Sequence, residues 1–204
     1  MQIKTIVTFI VVTLGVLLGV GGMLWQFGNT EVKPIVDVAG EKRHIKGSGS
    51  VEVVEFSDLQ CPACAQVQEP LKQLLTKYEG KVSFVYRHFP LTNIHKNALA
   101  AAWGAEAANN QGKFWEWHDL LFARQTEWSE LADPKPKFIE YAKELGMDES
   151  KLISDMGGEE AKNIVSTDLL AATRYRLTGT PSFFVNGYAV DFNQLEAKIA
   201  ESVK

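Results

Sequence analysis

Apolar and polar residues change rhythm several times along this chain. Residues 6–25 are mostly apolar, and no charged residue falls between Thr5 and Thr30. As a helix, a run of that length spans about 30 Å, the hydrocarbon thickness of a bilayer. The pattern predicts a membrane anchor over residues 1–25. A cleaved signal segment, with Gly19 and Gly21 as its small-residue exit, is the alternative, although a signal has a shorter apolar core. Residues 26–46 mix charges with Pro34 and Gly40 and read as a linker that ends in an edge strand over 34–38.

From residue 47 the rhythm becomes that of a packed domain, expected to run to residue 204. Val51 to Phe56 alternates as a strand, with Val51, Val53 and Glu55 on one face and Glu52, Val54 and Phe56 on the other. A carboxylate on an apolar strand face is costly unless it has a partner or a task. Val67, Leu71, Leu74, Leu75 and Tyr78 then recur at helical spacing, with Pro70 inside the helix and Gly80 closing it. Residues 81–88 form a second strand, stopped by Pro90. Residues 91–178 are helical in pattern, with candidate helices at 95–109, 112–125, 136–145, 149–156 and 159–177. The chain returns to strand at 182–185, turns at Asn186-Gly187, continues as strand over 188–190, and ends in a helix that Asp191 can cap. The predicted class is α/β, a mixed sheet with helices on both faces and a helical domain inserted over about 91–178.

With 46% hydrophobic and 23% charged residues the chain is globular in composition, and its formal charge of -4 gives no electrostatic footing to nucleic-acid binding. No phosphate loop, Ser-His-Asp set or nucleotide fingerprint is evident. The two cysteines, Cys61 and Cys64, are the only ones in 204 residues. A pair three apart cannot staple distant parts of a chain this long. Thiol–disulfide exchange, half of a zinc site and incidental cysteines are the three readings of the pair. Zinc wants about four ligands, and His44, His88, His95 and His118 offer no closely spaced pair. Exchange is the reading the position favours. Pro62 suits the first position of a helix, and unsatisfied N–H groups and the dipole at a helix start stabilise a thiolate on Cys61. Cys64, one turn in, is placed to resolve a mixed disulfide.

The run EFSDLQCPAC, the later RHFPL, the segment QGKFWEWHDLLF and the distal GTPSFFVNG resemble the DsbA-type thiol–disulfide oxidoreductases of the thioredoxin superfamily, over residues 46–204. The resemblance implies a thioredoxin-like mixed sheet with an inserted helical domain, here preceded by an N-terminal transmembrane helix. It implies that Cys61 attacks and Cys64 resolves, and that Glu55, six residues before Cys61, is a buried acid moving a proton on or off Cys64. Members often pair that acid with a base on the neighbouring strand; Val85 stands there, and Arg87 is the expected substitute. Thr180-Pro181 is implied to be a cis element beside the cysteines that pairs with a substrate strand. The strongest oxidants of the family often have a histidine between the cysteines, whereas Pro62 and Ala63 stand here, so a less acidic Cys61 and a less oxidising pair are expected.

The expected activity is donation of the Cys61-Cys64 disulfide to reduced secreted or envelope proteins, with no bound cofactor and no metal; the expected partners are reduced or misoxidised client proteins. By the same resemblance, the partner that reoxidises it is a membrane quinone-linked thiol oxidase of the DsbB or vitamin K epoxide reductase type. A membrane-anchored reductase or isomerase, and a holdase-like binding module, are the alternatives. Flanking charges do not decide the orientation of the anchor. Disulfides persist outside the cytoplasm, so a single-pass protein with an extracytoplasmic catalytic domain is expected.

Overall fold

The computed structural model describes residues 34–203, together with Thr13 and Val16. The expected anchor over 6–25 therefore lies, but for those two residues, outside the described part. Among the described residues no helix is long and apolar enough to cross a membrane.

The elements follow in the order β1 (His44–Lys46), β2 (Val51–Ser57), α1 (Pro62–Lys77), β3 (Val82–His88), α2 (Ala98–Asn109), α3 (Phe114–Ala123), α4 (Gln125–Trp128), α5 (Lys135–Glu144), α6 (Glu149–Gly157), α7 (Glu159–Arg174), β4 (Ser182–Val185), β5 (Tyr188–Val190) and α8 (Phe192–Ser202). The five strands form one sheet in the order β1-β3-β2-β4-β5. β2 and β3 are parallel at its centre, and β1, β4 and β5 join antiparallel. β2 and β3 are parallel neighbours that cannot be joined by a tight turn, and α1 makes the crossover.

Each face of the sheet has its own core. Val51, Val53, Phe84, Tyr86, Phe183 and Val185 face one way, against Leu71 of α1, Leu195 and Ile199 of α8, and aromatic residues of the insertion such as Phe114 and Trp117. Val54, Phe56, Val85 and Phe184 face the other, against Ala172 of α7 and the loop residues Val38 and Ala39. The expected mixed sheet with helices on both faces is present, and helices α2 to α7 fall within the expected insertion. Their bounds differ locally. Turns precede α2, which starts at Ala98 rather than 95, and Arg124 breaks the expected 112–125 helix into α3 and α4. Pro70 is accommodated within an unbroken α1. Asp191 stands at the N-cap of α8 but makes no side-chain capping bond.

The edge strand is not at 34–38. That segment turns, with Asp37 at φ 64 and Gly40 at φ 58, and only the Ile35 N–H reaches the sheet end, donating to Gly187 O at 2.8 Å. Val38 and Ala39 fold inward, and the edge is β1, so residues 34–46 belong to the packed domain rather than to a linker.

Gly49, between β1 and β2, permits this arrangement. Its N–H donates to Val82 O at 3.2 Å, and a Cβ there would stand 1.8 Å from the Lys81 carbonyl carbon. Because that neighbour is backbone, it cannot step aside. Gly49→Ala is expected to destabilise the fold by about 3 kcal/mol or more, read as a lower urea midpoint at unchanged slope. A shift below about 0.5 kcal/mol would contradict the close approach.

Candidate active site

β2 ends at Ser57, and the chain turns through Asp58, Leu59 and Gln60 into Cys61, the N-cap of α1. Pro62 occupies the first helical position, where its missing N–H leaves no bond unmade. Both cysteines are free thiols; Cys61 is 6% exposed and Cys64 fully buried.

Cys61 Sγ lies 3.6 Å from the Thr180 carbonyl, to which it donates as a thiol. Antiparallel pairing of β4 with β2 sets Ser182 opposite Phe56 and Phe183 opposite Glu55, which draws the preceding Thr180-Pro181 alongside the cysteine turn. That peptide bond is cis, as the resemblance implied. The Thr180 hydroxyl is buried without a hydrogen-bond partner, close enough to Cys61 to act on its thiolate.

The two sulfurs are driven in opposite directions. A hydrogen bond from Cys64 lowers the Cys61 pKa; burial opposes it, and the Thr180 side chain and the N–H groups of Cys64 and Ala63 add to the lowering, to about 5. Burial pushes Cys64 far above the ordinary thiol range, with the Cys61 bond and the Glu55 charge adding to it. One sulfur is a thiolate at neutral pH and the other keeps its proton.

Glu55 lies fully buried on the face toward α1. Burial raises its carboxyl to about 7. Gln68 Nε2 donates to Glu55 Oε1 at 3.3 Å and to the Cys64 carbonyl at 3.2 Å, while Glu55 Oε2 has no partner. Arg87 does not substitute for the missing base. In the parallel register Glu55 stands beside Tyr86 and Arg87 beside Phe56, so Arg87 is on the opposite face. There it stacks over Phe56 at 4.8 Å and donates to Asp168 and to the Val38 carbonyl.

Residues that the sequence pattern did not single out hold the cysteine turn. Asp58 accepts from the N–H of Gln60 (2.8 Å), the N–H of Leu91 (2.8 Å) and His95 Nδ1 (2.7 Å). Gln60 accepts from the Asn97 N–H at 2.7 Å, and Asn97 Nδ2 donates to the carbonyls of Trp128, Ser129 and Leu131. From α4, Gln125 Nε2 donates to the carbonyls of Leu59 (2.8 Å) and Cys61 (3.1 Å). Short polar side chains in loops carry no periodic signal, so only the fold shows that they converge.

His118 is a core histidine, bonded to Asp119 at 2.8 Å and lowered in pKa by burial. Trp115 is half-buried beneath Lys46, on a cleft of about 760 Å³ that Gln68 also lines.

The family profile described as "Thioredoxin" matches residues 43–204. The chain belongs to the thioredoxin family. Among curated proteins, this thioredoxin-family chain is 39% identical over 155 residues to the Na(+)/H(+) antiporter NhaA 3 of Salinispora tropica, 75% of this chain and 23% of that protein. It is 34% identical over 158 residues to NhaA of Herminiimonas arsenicoxydans, 76% of this chain and 24% of that one. The chain thus spans about a quarter of the length of the curated relatives it matches. Among solved structures it is similar to oxidised BdbD from Bacillus subtilis, with a TM-score of 0.72 at 20% identity over 84% of this chain and 96% of the other. A thioredoxin-like oxidoreductase from Silicibacter pomeroyi gives 0.69 at 26% identity, over 82% and 97%. The thiol–disulfide exchange protein alpha-DsbA2 from Wolbachia pipientis gives 0.69 at 21%, over 81% and 90%. At these identities the BdbD and alpha-DsbA2 matches establish a shared thioredoxin-like fold.

Proposed function

We propose that this chain is an extracytoplasmic thiol–disulfide oxidoreductase that donates its Cys61-Cys64 disulfide to reduced client proteins. The observation that carries the proposal is the division of labour between the sulfurs: Cys61 acidic at a helix start beside Thr180-Pro181, Cys64 buried above an acid of pKa about 7. The activities named for the S. pomeroyi and W. pipientis neighbours support the same reading. For the antiporters, ion transport belongs to proteins about three times as long as this chain; the proposal for this chain rests on its own cysteine pair.

In the donating direction a client thiolate attacks Cys61 Sγ of the disulfide. The Cys61-Cys64 bond breaks, and Cys64 leaves and takes a proton, for which Glu55 is the nearby acid. A second client thiolate attacks the client sulfur of the mixed disulfide and expels the Cys61 thiolate, which the helix start and Thr180 stabilise. Two client thiols become a disulfide and the pair becomes a dithiol. The backbone beside cis Pro181 receives the client strand. An anchor over residues 6–25 would hold the domain at the outer face of the cell membrane, within reach of a quinone-linked thiol oxidase of the DsbB or vitamin K epoxide reductase type to reoxidise it.

The direction is tested by the equilibrium reduction potential of the full chain, titrated against glutathione with the thiols trapped at each point. An acidic Cys61 stabilises the reduced form, so a potential more oxidising than the roughly -270 mV of thioredoxin is expected. A value near about -270 mV would favour a reductase. Failure to form the disulfide at any ratio would overturn both and leave the holdase reading.

A further inference from the structure

The edge of the sheet gathers three groups that no step of the exchange uses. Antiparallel pairing sets His44 of β1 opposite Tyr86 of β3, so His44, Tyr86 and His88 share the face toward the insertion. From α2, Glu106 points at the two imidazoles. His44 Nε2 lies 2.6 Å and His88 Nε2 2.8 Å from the same oxygen, Glu106 Oε1. The three residues are 3%, 1% and 1% exposed, and their ligand atoms all lie within 4.8 Å of one another. It is the one such set among the described residues.

Two imidazoles do not complete this site. Glu106 Oε2 is buried with no partner, as is His44 Nδ1. Glu106 therefore keeps one buried oxygen that the protein itself leaves unused. Both imidazoles engage only Oε1, and a buried carboxyl group with one bare oxygen is expensive. Asp168, whose carboxylate accepts from the His88 N–H (2.9 Å), is also held by Arg87 Nε (2.8 Å). A divalent cation held by the carboxylate and the two imidazoles would give this group its missing partner.

The donors say which cation. Calcium and magnesium take oxygen ligands, whereas two imidazole nitrogens and a carboxylate are a common zinc set. Ligands around tetrahedral zinc stand about 3.3 Å apart, so the two N···O separations need open by little more than about half an ångström. A cleft of about 470 Å³, lined by His44, Tyr86, Arg87 and Asp168, reaches the His44 side of the set.

We propose that His44, His88 and Glu106 bind one zinc ion, which ties the edge strand β1 to β3 and to the helical insertion. The site moves no electrons, and it does not depend on the exchange reading.

The test uses the full chain carrying Cys61→Ser and Cys64→Ser, so that thiols cannot compete for metal. After stripping with a chelator it is titrated with Zn²⁺ in a calorimeter and melted with and without the ion. One equivalent per chain and a raised midpoint are expected. Glu106→Gln, which keeps size and an acceptor oxygen, and His44→Asn, at the sheet edge, should each weaken binding by more than about tenfold. Both are checked for folding by circular dichroism, and either one folded suffices. Co²⁺ in place of Zn²⁺ should give the visible bands of a tetrahedral site in the parent and none in the variants. No binding by the parent, or binding unchanged in a folded variant, would overturn the proposal.

Discussion

A Cys61→Ser chain is expected to lose disulfide exchange by on the order of a thousandfold or more, the scale of removing a nucleophile that other groups cannot replace. Cys64→Ser should behave differently. Cys61 remains acidic and faces Thr180, so it still forms mixed disulfides, but with its buried partner gone nothing intramolecular releases them. Incubation of each variant with a reduced peptide and its disulfide, followed by non-reducing gel analysis, separates the cases. Adducts should accumulate on Cys64→Ser and be absent from Cys61→Ser. Accumulation on the Cys61 variant would reverse the roles. A holdase predicts that binding of unfolded chains survives both changes.

The second expected result is a pH profile. Alkylation of the dithiol by iodoacetamide should rise with a midpoint near pH 5, from Cys61 alone, with Cys64 unlabelled in the folded chain. Allowing for the lower nucleophilicity of an acidic thiolate, Cys61 should react at pH 5 roughly 40-fold faster than an ordinary cysteine. Stability follows with a definite sign. Cys61 is depressed from 9.0 to about 5, so its contribution to the dithiol form is complete above pH 9 and is lost as the pH falls toward 5. Glu55 is raised from 4.5 to about 7, so its contribution is complete below pH 4.5 and is lost as the pH rises through 7. The disulfide form lacks the Cys61 term. The urea midpoint of the dithiol form should therefore gain on that of the disulfide form as the pH rises from 5 to 9. A constant gap, or a midpoint of alkylation near 8.5, would remove the basis for an acidic Cys61.

Much of this was legible in local patterns. The alternation through Val51 to Phe56, the Pro after Cys61 and the Asn186-Gly187 turn each announce an element by short-range chemistry, and all three are where they were expected. What failed depends on register and on long separations. Arg87 was assigned to Glu55 because the phase of one strand relative to its neighbour is not written in either strand, and a one-residue shift changes the face. The edge strand was placed at a proline rather than at three residues around His44, too short for an alternation to show. Glu106 sits in an alanine-rich helix with no special spacing to His44, 62 residues away, or to His88, 18 away. Only the packing of α2 against the sheet edge makes them neighbours.

The hold of Gln125 and Asn97 on the cysteine turn has a wider consequence. The reacting turn follows a strand of the sheet, but the donors that fix the Gln60 side chain and the Leu59 and Cys61 carbonyls come from the insertion, across more than 30 residues of chain. A displacement of the helical layer would therefore also slacken the backbone whose N–H groups stabilise the Cys61 thiolate. Layer position and electron affinity become two readings of a single mechanical coordinate, and the appetite of this site for electrons is a property of two layers held together rather than of the tetrapeptide from Cys61 to Cys64 alone.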